Sequence, residues 1–231
     1  YKDMNGKKYA ENISQLALAN VDFDMQNRHH ISYNLMMIHA NTQSVGDYNG
    51  KNSIFSDDYE NLGFTRRQQT NDNMLIVNQL MTNWGLTKSL SLDAGASYNM
   101  VKGYEPDRRI NNLTKAEDGY TLLRGNSQQR YFSTLDEDDL NVKAGLVYRL
   151  KDNIDEISNI RFGYTGRFVD DNFKATEYNL TVGHVSTIPS LDDFSLDDYY
   201  NQENFASDWF KIQKNLDEYT VKKNIHSAYD E

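Results

Sequence analysis

The stretch from Ser89 to Met100 alternates strictly between apolar and polar or small residues, and this alternation most limits what the chain can fold into. Side chains of a β-strand point to opposite faces in turn, so a period of two predicts a strand with one apolar face. The run exceeds ten residues, about the length with which a tilted strand crosses a bilayer. The apolar face carries Leu90, Leu92, Ala94, Ala96, Tyr98 and Met100.

The same alternation recurs along the chain and predicts seven or eight strands in all. One strand is predicted over roughly Arg66 to Leu86, but its register stays undecided because two apolar patterns overlap there. The other predicted strands are Ala17–Met25, a segment beginning at Ile31, Leu140–Leu150, Ile160–Phe168, about Asn172–Val182 and Tyr219–Tyr229.

Short turns and long polar segments alternate between the predicted strands. Outer-membrane barrels show this asymmetry, with short periplasmic turns and long extracellular loops. We therefore predict an all-β fold, an antiparallel transmembrane β-barrel; a soluble β-sandwich and a small autonomous barrel remain as alternatives. The predicted short turns are Asn27–His30, Thr87–Ser89 and Lys151–Ser158, and the predicted long loops are Asn41–Gly63, Val101–Asp138 and Ser186–Gln213.

Composition excludes several other classes of protein. The chain of 231 residues has no cysteine, which excludes a disulfide scaffold and a thiolate metal site. A net charge of -10 argues against nucleic acid as a partner. The mean hydropathy of -0.78 is low for a membrane protein but does not exclude a barrel, because only every second residue of a barrel strand needs to be apolar.

Three segments carry a family resemblance. The run from Tyr104 to Arg109 follows a strand that contains Ala96–Tyr98, and the run from Ile160 to Tyr164 precedes Arg167–Ala175. Together with Tyr219–Tyr229, in this order and spacing, they resemble the barrel region of TonB-dependent outer-membrane receptors of the Bacteroidota. The group with an N-terminal carboxypeptidase-regulatory-like domain is the most similar, and the resemblance covers about residues 17–229.

The resemblance implies a 22-stranded barrel in the bacterial outer membrane, closed by an N-terminal plug. It implies active uptake of a nutrient, a ferric siderophore, cofactor or glycan, with energy from the TonB–ExbB–ExbD complex acting through the plug. Residues 1–231 are then expected to be an internal, partial barrel of wall and extracellular loops, without the plug and the C-terminal strands. The remaining alternative in function is a secreted β-sandwich that binds glycans.

Two groups of side chains in the predicted loops are candidates for ligand binding. The first comprises arginines, whose forked donors suit anionic ligands; these same arginines could instead pair with neighbouring acids. The second comprises aromatic rings, which could stack on sugars or catechols or could pack the loop onto its neighbours. The candidates are Arg108, Arg109, Arg124, Tyr199, Tyr200, Trp209 and Phe210, with Arg130 and Phe205 beside them.

Other polar groups are read as parts of turns and solvated surfaces. His29 and His30 are adjacent, and adjacent residues on a strand cannot easily bind one ion. Asp22 and Asp24 share a strand face that is predicted to line the lumen, without a base or nucleophile beside them. The acidic runs could bind calcium or remain solvated. We therefore expect no enzyme activity, no cofactor and no resident metal. The acidic runs are Asp136–Asp139, Asp192–Asp193 and Asp197–Asp198.

Overall fold

The computed structural model describes residues 2–26, 28–153, 156–184, 187–191 and 195–230, which form one antiparallel β-sheet. Its strands are β1 (Lys2–Met25), β2 (His29–Asn52), β3 (Leu62–Gly85), β4 (Leu90–Ala116), β5 (Gly119–Leu122), β6 (Gly125–Asn153), β7 (Glu156–Val182), β8 (Thr187–Ile188) and β9 (Phe210–Asp230). A short 3-10 helix (Asp57–Tyr59) and two helices, α1 (Leu196–Tyr199) and α2 (Gln202–Ala206), complete the described chain. Within it, no helix has the length and apolarity needed to cross a bilayer.

The long strands follow one another in space almost as they do in sequence. Their order in the sheet is β1-β2-β3-β4-β6-β7-β9, while the short β5 pairs with β4 and with β8. All pairs are antiparallel. Within the described residues β1 pairs only with β2, and β9 only with β7, so the sheet is open. The prediction of an all-β antiparallel fold is therefore confirmed.

The strands are much longer than the alternation predicted. β1, β2 and β3 each have 24 residues, and β6 has 29. The predicted loops Asn41–Gly63 and Val101–Asp138 are therefore wrong, because strand pairing runs through most of both segments. In the extended parts of these strands polar residues occur on both faces. Backbone hydrogen bonding continues there without an apolar pattern to reveal it.

Three smaller predictions also need correction. β7 is continuous, although separate strands were predicted to end at Phe168 and begin at Asn172. β6 and β7 continue into the predicted turn Lys151–Ser158, and the residues between them lie outside the described chain. β2 begins at His29, so the two histidines belong to a strand and the turn is shorter; Asn27 is outside the described residues.

The loop predicted over Ser186–Gln213 is present but shorter, because β9 begins at Phe210 and not at Tyr219. Between β7 and β9 the chain forms what we call the cap, the described residues 183–184, 187–191 and 195–209, with β8, α1 and α2. The turn at Thr87–Ser89 is confirmed, since β3 ends at Gly85 and β4 begins at Leu90.

Strand register places the apolar positions of six strands on one face of the sheet. Val21 lies opposite Tyr33, which lies opposite Leu80, and the row continues through Ala96 to Val142. The undecided register of β3 is thereby fixed, with Leu80 and Trp84 on the apolar side and Leu75 and Val77 on the other. We call this surface the apolar band: Ala17–Phe23 (odd positions), Ile31–Met37 (odd positions), Ile76, Leu80, Trp84, Leu90–Met100 (even positions), Leu140–Tyr148 (even positions), and Ile160, Phe162, Tyr164 and Phe168.

No part of the described chain covers the apolar band. Phe162 is 72% exposed, Ile160 57% and Leu80 50%. The ten residue steps from Leu90 to Met100 correspond to about 33 Å along the strand, or about 25 Å of height at a usual barrel tilt. On β6 and β7 the band ends at Leu140 and Phe168, because Asp138 and Asp170 form the next cross-strand pair. On these two strands the apolar band therefore has a polar border on the side of the cap.

The buried core lies at the far end of the same face, where the cap packs on the strands. Leu113 is 1% exposed and Leu122 2%. The side chain of Gln128, on β6, bonds to the backbone of Asn112 on β4. Its Oε1 accepts from the Asn112 N–H (2.9 Å), and its Nε2 donates to the Asn112 carbonyl (2.7 Å). The hydrophobic residues of this buried core are Phe64, Leu113, Leu122, Leu180, Val182, Ile188, Tyr199 and Phe210.

Candidate functional site

A β-bulge in β4 brings two arginines to the same face of the sheet. Between Glu105 and Arg108 the register against β6 shifts by one residue, with Pro106 inside the shift. Proline lacks the N–H that a regular ladder needs and is tolerated at bulges. Because the extra residue exchanges the two faces of β4, Arg109 lies directly opposite Arg130.

Asp107, within the bulge, holds both arginines. Its carboxylate accepts from Arg109 Nε (2.6 Å), and from Arg130 Nε (3.0 Å) and Nη2 (2.6 Å). Burial alone raises the pKa of the Asp107 carboxyl, but the hydrogen bonds from Arg130 and Arg109 outweigh it and hold this pKa below its usual range. Two guanidinium groups thus share one carboxylate.

The aromatic residues predicted as a group do form a cluster, and it anchors the cap. Tyr199 is 4% exposed, and its hydroxyl donates to the carbonyls of His184 (2.5 Å) and Trp209 (3.0 Å). Its ring stands edge-on to Tyr200 with centroids 5.0 Å apart, and Tyr200 meets Phe210 at the same separation. These contacts support the packing alternative for Tyr199 and Phe210. Burial, with Tyr199 nearby, raises the pKa of Tyr200.

A cavity of about 290 Å³ lies between the cap and the sheet, and it joins the two predicted groups. One end carries the two arginines together with Asn111, whose side chain is 4% exposed. The other end is lined mainly by apolar and aromatic side chains. We call it the cap pocket. The lining residues that matter most are Arg109, Arg130, Asn111, Tyr200, Phe205 and Phe210.

Four of the predicted ligand residues do not line the cap pocket. Arg108 lies on the opposite face, with its Cζ 4.1 Å from the Tyr131 ring centroid and its Nη1 3.6 Å from a Glu105 carboxylate oxygen. Arg124 is exposed between β5 and β6. Tyr199 and Trp209 belong to the packing of the cap. These arginines were predicted in a loop, whereas Arg108 and Arg109 lie in β4.

The histidine pair is divided between the two faces, as the alternation of a strand requires. The His29 ring lies 4.1 Å from the Trp84 ring, on the side of the apolar band. His30 lies on the polar face, where its Nδ1 is 2.8 Å from Asp24 and its Nε2 is 3.6 Å from Asp22.

The acidic run Asp136–Asp139 is divided between the faces in the same way. The Tyr98 hydroxyl donates to Asp138 (2.6 Å), whereas Arg167 Nη2 donates to Asp139 (3.1 Å) on the other side. No group of three or more His, Asp or Glu side chains in the described residues is arranged to hold a metal ion. The acidic pair Asp192–Asp193 and the side chain of Asp197 lie outside the described part of the molecule.

Sequence reasoning missed the partners that build the cap pocket. Asn111, Leu180 and Ile212 line it from three different strands, and no periodicity indicates that they meet. Pro106 is the residue that could have indicated this arrangement from the sequence, because a proline within a long strand indicates a bulge and therefore an exchange of faces. Asp107 directly follows that proline and could have been singled out for this reason.

Comparisons with protein-family models, characterised proteins and solved structures gave no match to this chain.

Proposed function

We propose that this chain forms part of the wall of an antiparallel transmembrane β-barrel in a bacterial outer membrane. The apolar band carries the proposal: it crosses six neighbouring strands, is about 25 Å tall and has no cover among the described residues. Its outer positions meet lipid, and the opposite face lines the lumen. That face carries polar side chains such as Asp22, His30 and Asn34 on neighbouring strands, beside apolar ones such as Leu75 and Val77.

Aromatic side chains at the borders of the apolar band fit the same arrangement. Trp84 and Tyr148 lie near the short turns, while Tyr98 and Phe168 lie in the last apolar row before Asp138. Membrane barrels place aromatic rings at both interfaces, where an apolar ring body meets lipid and a polar group meets water. The Tyr98 hydroxyl, bonded to Asp138, is placed in this way.

We further propose that the barrel belongs to a TonB-dependent receptor for active nutrient uptake, on the strength of the sequence resemblance. Strands of the same barrel would pair with the open edges of β1 and β9, since unpaired backbone is not tolerated in lipid. Energy would reach the receptor from the TonB–ExbB–ExbD complex through a plug. A small-molecule or glycan substrate would pass on the polar side of the wall. The alternative of a secreted β-sandwich needs a second sheet over the band, whereas the described residues form a single sheet.

Because the chain has no cysteine, single cysteines can be introduced along β6 and labelled with an environment-sensitive fluorophore. We expect Val142→Cys and Leu146→Cys, within the complete barrel folded into vesicles, to be quenched by lipids that carry a quencher in their acyl chains. The matched positions Asn141→Cys and Val147→Cys, on the opposite face, should be quenched weakly. Equal quenching of both sets would contradict a lipid-facing band.

A further inference from the structure

We propose that the short-turn end of the sheet carries a binding site for a phosphorylated polyol. A cavity of about 680 Å³ lies there, between the turn that joins β1 to β2, the turn that joins β3 to β4 and the adjoining part of β6. We call it the rim pocket. It is larger than one phosphate group needs and leaves room for several hydroxyl-bearing carbons. The lining residues that matter most are Arg28, Lys88, Arg149, Asp24, Asn83 and Ser91.

Backbone hydrogen bonds hold the three segments of the rim pocket side by side. The Gly85 N–H donates to the Arg28 carbonyl (2.9 Å), and the Arg149 N–H donates to the Ser89 carbonyl (2.8 Å). The turn between β3 and β4 thus bonds on one side to the turn before β2 and on the other side to β6. The backbones of Arg28, Lys88 and Arg149 are therefore placed relative to one another by the fold alone.

The outer part of the rim pocket is cationic. Arg28, Lys88 and Arg149 are exposed, and none of them forms an ion pair with a described residue. The whole chain has a net charge of -10, so three unpaired cations around one cavity are an uneven distribution. Their mutual repulsion is removed by an anion bound between them.

A phosphate group suits this arrangement of cations. The backbones of Arg28 and Arg149 lie three strand spacings apart, about 14 Å, with Lys88 between them. Both arginine side chains are long, so both can reach an anion that is held beside Lys88. Phosphate oxygens accept from the forked donors of a guanidinium and from an ammonium group.

The inner part of the rim pocket carries groups that bind hydroxyls. Asp24, His30 and Asn83 form one cross-strand row, and Ser91 lies on the same face of the sheet. The row meets β6 four residues before Arg149, about 13 Å from it along the strand. Carboxylate, amide and hydroxyl groups supply the acceptors and donors that a polyol needs. A phosphate at the cationic part therefore leaves the polyol of the ligand against this row.

Two sources could supply this ligand chemistry. The rim pocket lies at the end of the sheet opposite the cap, beyond Trp84 and Tyr148 of the apolar band. In the proposed barrel, short turns face the periplasm, so the pocket lies near the phosphates of the inner leaflet. The ligand is then either a soluble polyol phosphate or the glycerol phosphate headgroup of phosphatidylglycerol. Only the second source rests on the proposed barrel.

The first test is a titration of the complete barrel that contains this chain, in micelles of an uncharged detergent, observed by ligand NMR against empty micelles. We expect saturable binding of glycerol phosphate with a Kd that is roughly millimolar or lower. Uncharged glycerol should bind at least about tenfold more weakly, because it lacks the anionic group. Inorganic phosphate should bind several-fold more weakly than glycerol phosphate, because it makes no contact with the inner row; equal affinity would overturn the polyol assignment.

The second test distinguishes the lipid from the soluble source. The complete barrel is reconstituted in phosphatidylcholine vesicles with a minority of phosphatidylglycerol, extracted in an uncharged detergent, and examined by native mass spectrometry for retained lipid. Selective retention of phosphatidylglycerol that the variants below abolish supports the site and assigns it to a headgroup. Saturable binding of glycerol phosphate without such retention supports the site and assigns it to a soluble ligand. Failure of glycerol phosphate to saturate up to about 10 mM, together with no selective retention, would overturn the proposal.

Variants separate the rim pocket from general charge effects. Arg149→Ala and Arg28→Ala should each weaken binding by about five- to tenfold, and Arg149→Lys should retain most of it because it keeps the charge. Arg124→Ala, at an exposed arginine outside the pocket, should leave binding unchanged. Undiminished binding in both alanine variants, or an equal loss in Arg124→Ala, would overturn the site. An aqueous, lipid-free protein would refute the barrel, and the titration with glycerol phosphate would still test the site in buffer.

Discussion

At the scale of single residues, Pro106 and Asp107 have the largest influence on the cap end of the molecule. The bulge around Pro106 exchanges the faces of β4, and Asp107 then bridges the two arginines that the exchange brings together. Without the extra residue, Arg109 would lie on the polar face together with the partners of Arg108. One residue in the ladder therefore decides whether Arg109 and Arg130 meet beneath the cap.

Asp107→Asn should lower the free energy of unfolding at pH 7 by about 1–3 kcal/mol, because two arginines lose their carboxylate partner. The pKa of Asp107 is lowered in the fold, so its stabilisation is present above its unfolded pKa of about 3.9 and is lost as pH falls through its folded pKa. The difference between wild type and variant should therefore shrink below about pH 4.

Denaturant unfolding between pH 3 and pH 7 measures this difference. Asp118→Asn serves as the matched control, since Asp118 is exposed in the turn between β4 and β5. We expect the control to change stability little at any pH. A difference for Asp107→Asn that stays constant down to pH 3 would show that the carboxylate charge is not its cause.

At the scale of the element, the long strands have two parts: one in the apolar band and one that extends towards the cap. In the apolar band, period-two alternation marks the strand, because one face is apolar and the other polar. Towards the cap, β2, β3, β4 and β6 continue for many residues with polar groups on both faces, as where Arg66 forms a forked pair with Asp47 (2.8 and 2.9 Å). Cross-strand pairs of this kind and the backbone ladder hold these extensions, rather than burial of apolar surface.

Val142→Arg should lower the free energy of unfolding in a bilayer by about 2–4 kcal/mol, since Val142 lies opposite Ala96 in the middle of the apolar band and a lipid-facing charge near the midplane has that cost. Ser97→Arg places the same side chain on the opposite face of the neighbouring β4, and its cost should stay below about 1 kcal/mol. Urea titration of both variants in lipid vesicles measures the two values. Similar losses for both variants would be incompatible with a membrane-facing band.

At the scale of the whole molecule, two features are unfavourable in water: an exposed apolar surface and open strand edges. The apolar band lies on one face of a single sheet, and β1 and β9 each have a side without a partner strand in the described residues. Extended apolar patches and open strand edges both promote association. In a membrane barrel, by contrast, lipid covers the band and further strands close the edges.

We therefore expect the chain alone to aggregate in aqueous buffer, and to gain a β-rich circular-dichroism spectrum when detergent or lipid and the neighbouring strands of the barrel are supplied. Light scattering and far-UV circular dichroism, recorded with and without detergent, test this expectation. A soluble monomer that melts cooperatively in buffer would argue against the barrel and in favour of the β-sandwich.

The sequence by itself determined the fold class and the apolar face of most strands, because burial or lipid contact on one side imposes a period of two that is visible at Leu90–Met100 and Leu140–Tyr148. It also indicated the aromatic cluster, since Tyr199, Tyr200, Trp209 and Phe210 lie close together in the chain. The adjacent histidines, predicted in a turn, lie on opposite faces of β2, as the geometry of a strand requires.

Only the tertiary structure decided the length of the strands, the register of β3 and the meeting of the arginines with the aromatic residues. Strand pairing in water needs backbone hydrogen bonds but no apolar pattern, so the extensions of β2 and β4 leave little trace in the sequence. The cap pocket joins Arg109, Arg130 and Phe205, which are far apart in the chain. Their proximity depends on one bulge and on the packing of the cap, and both are long-range consequences of register that no local pattern encodes.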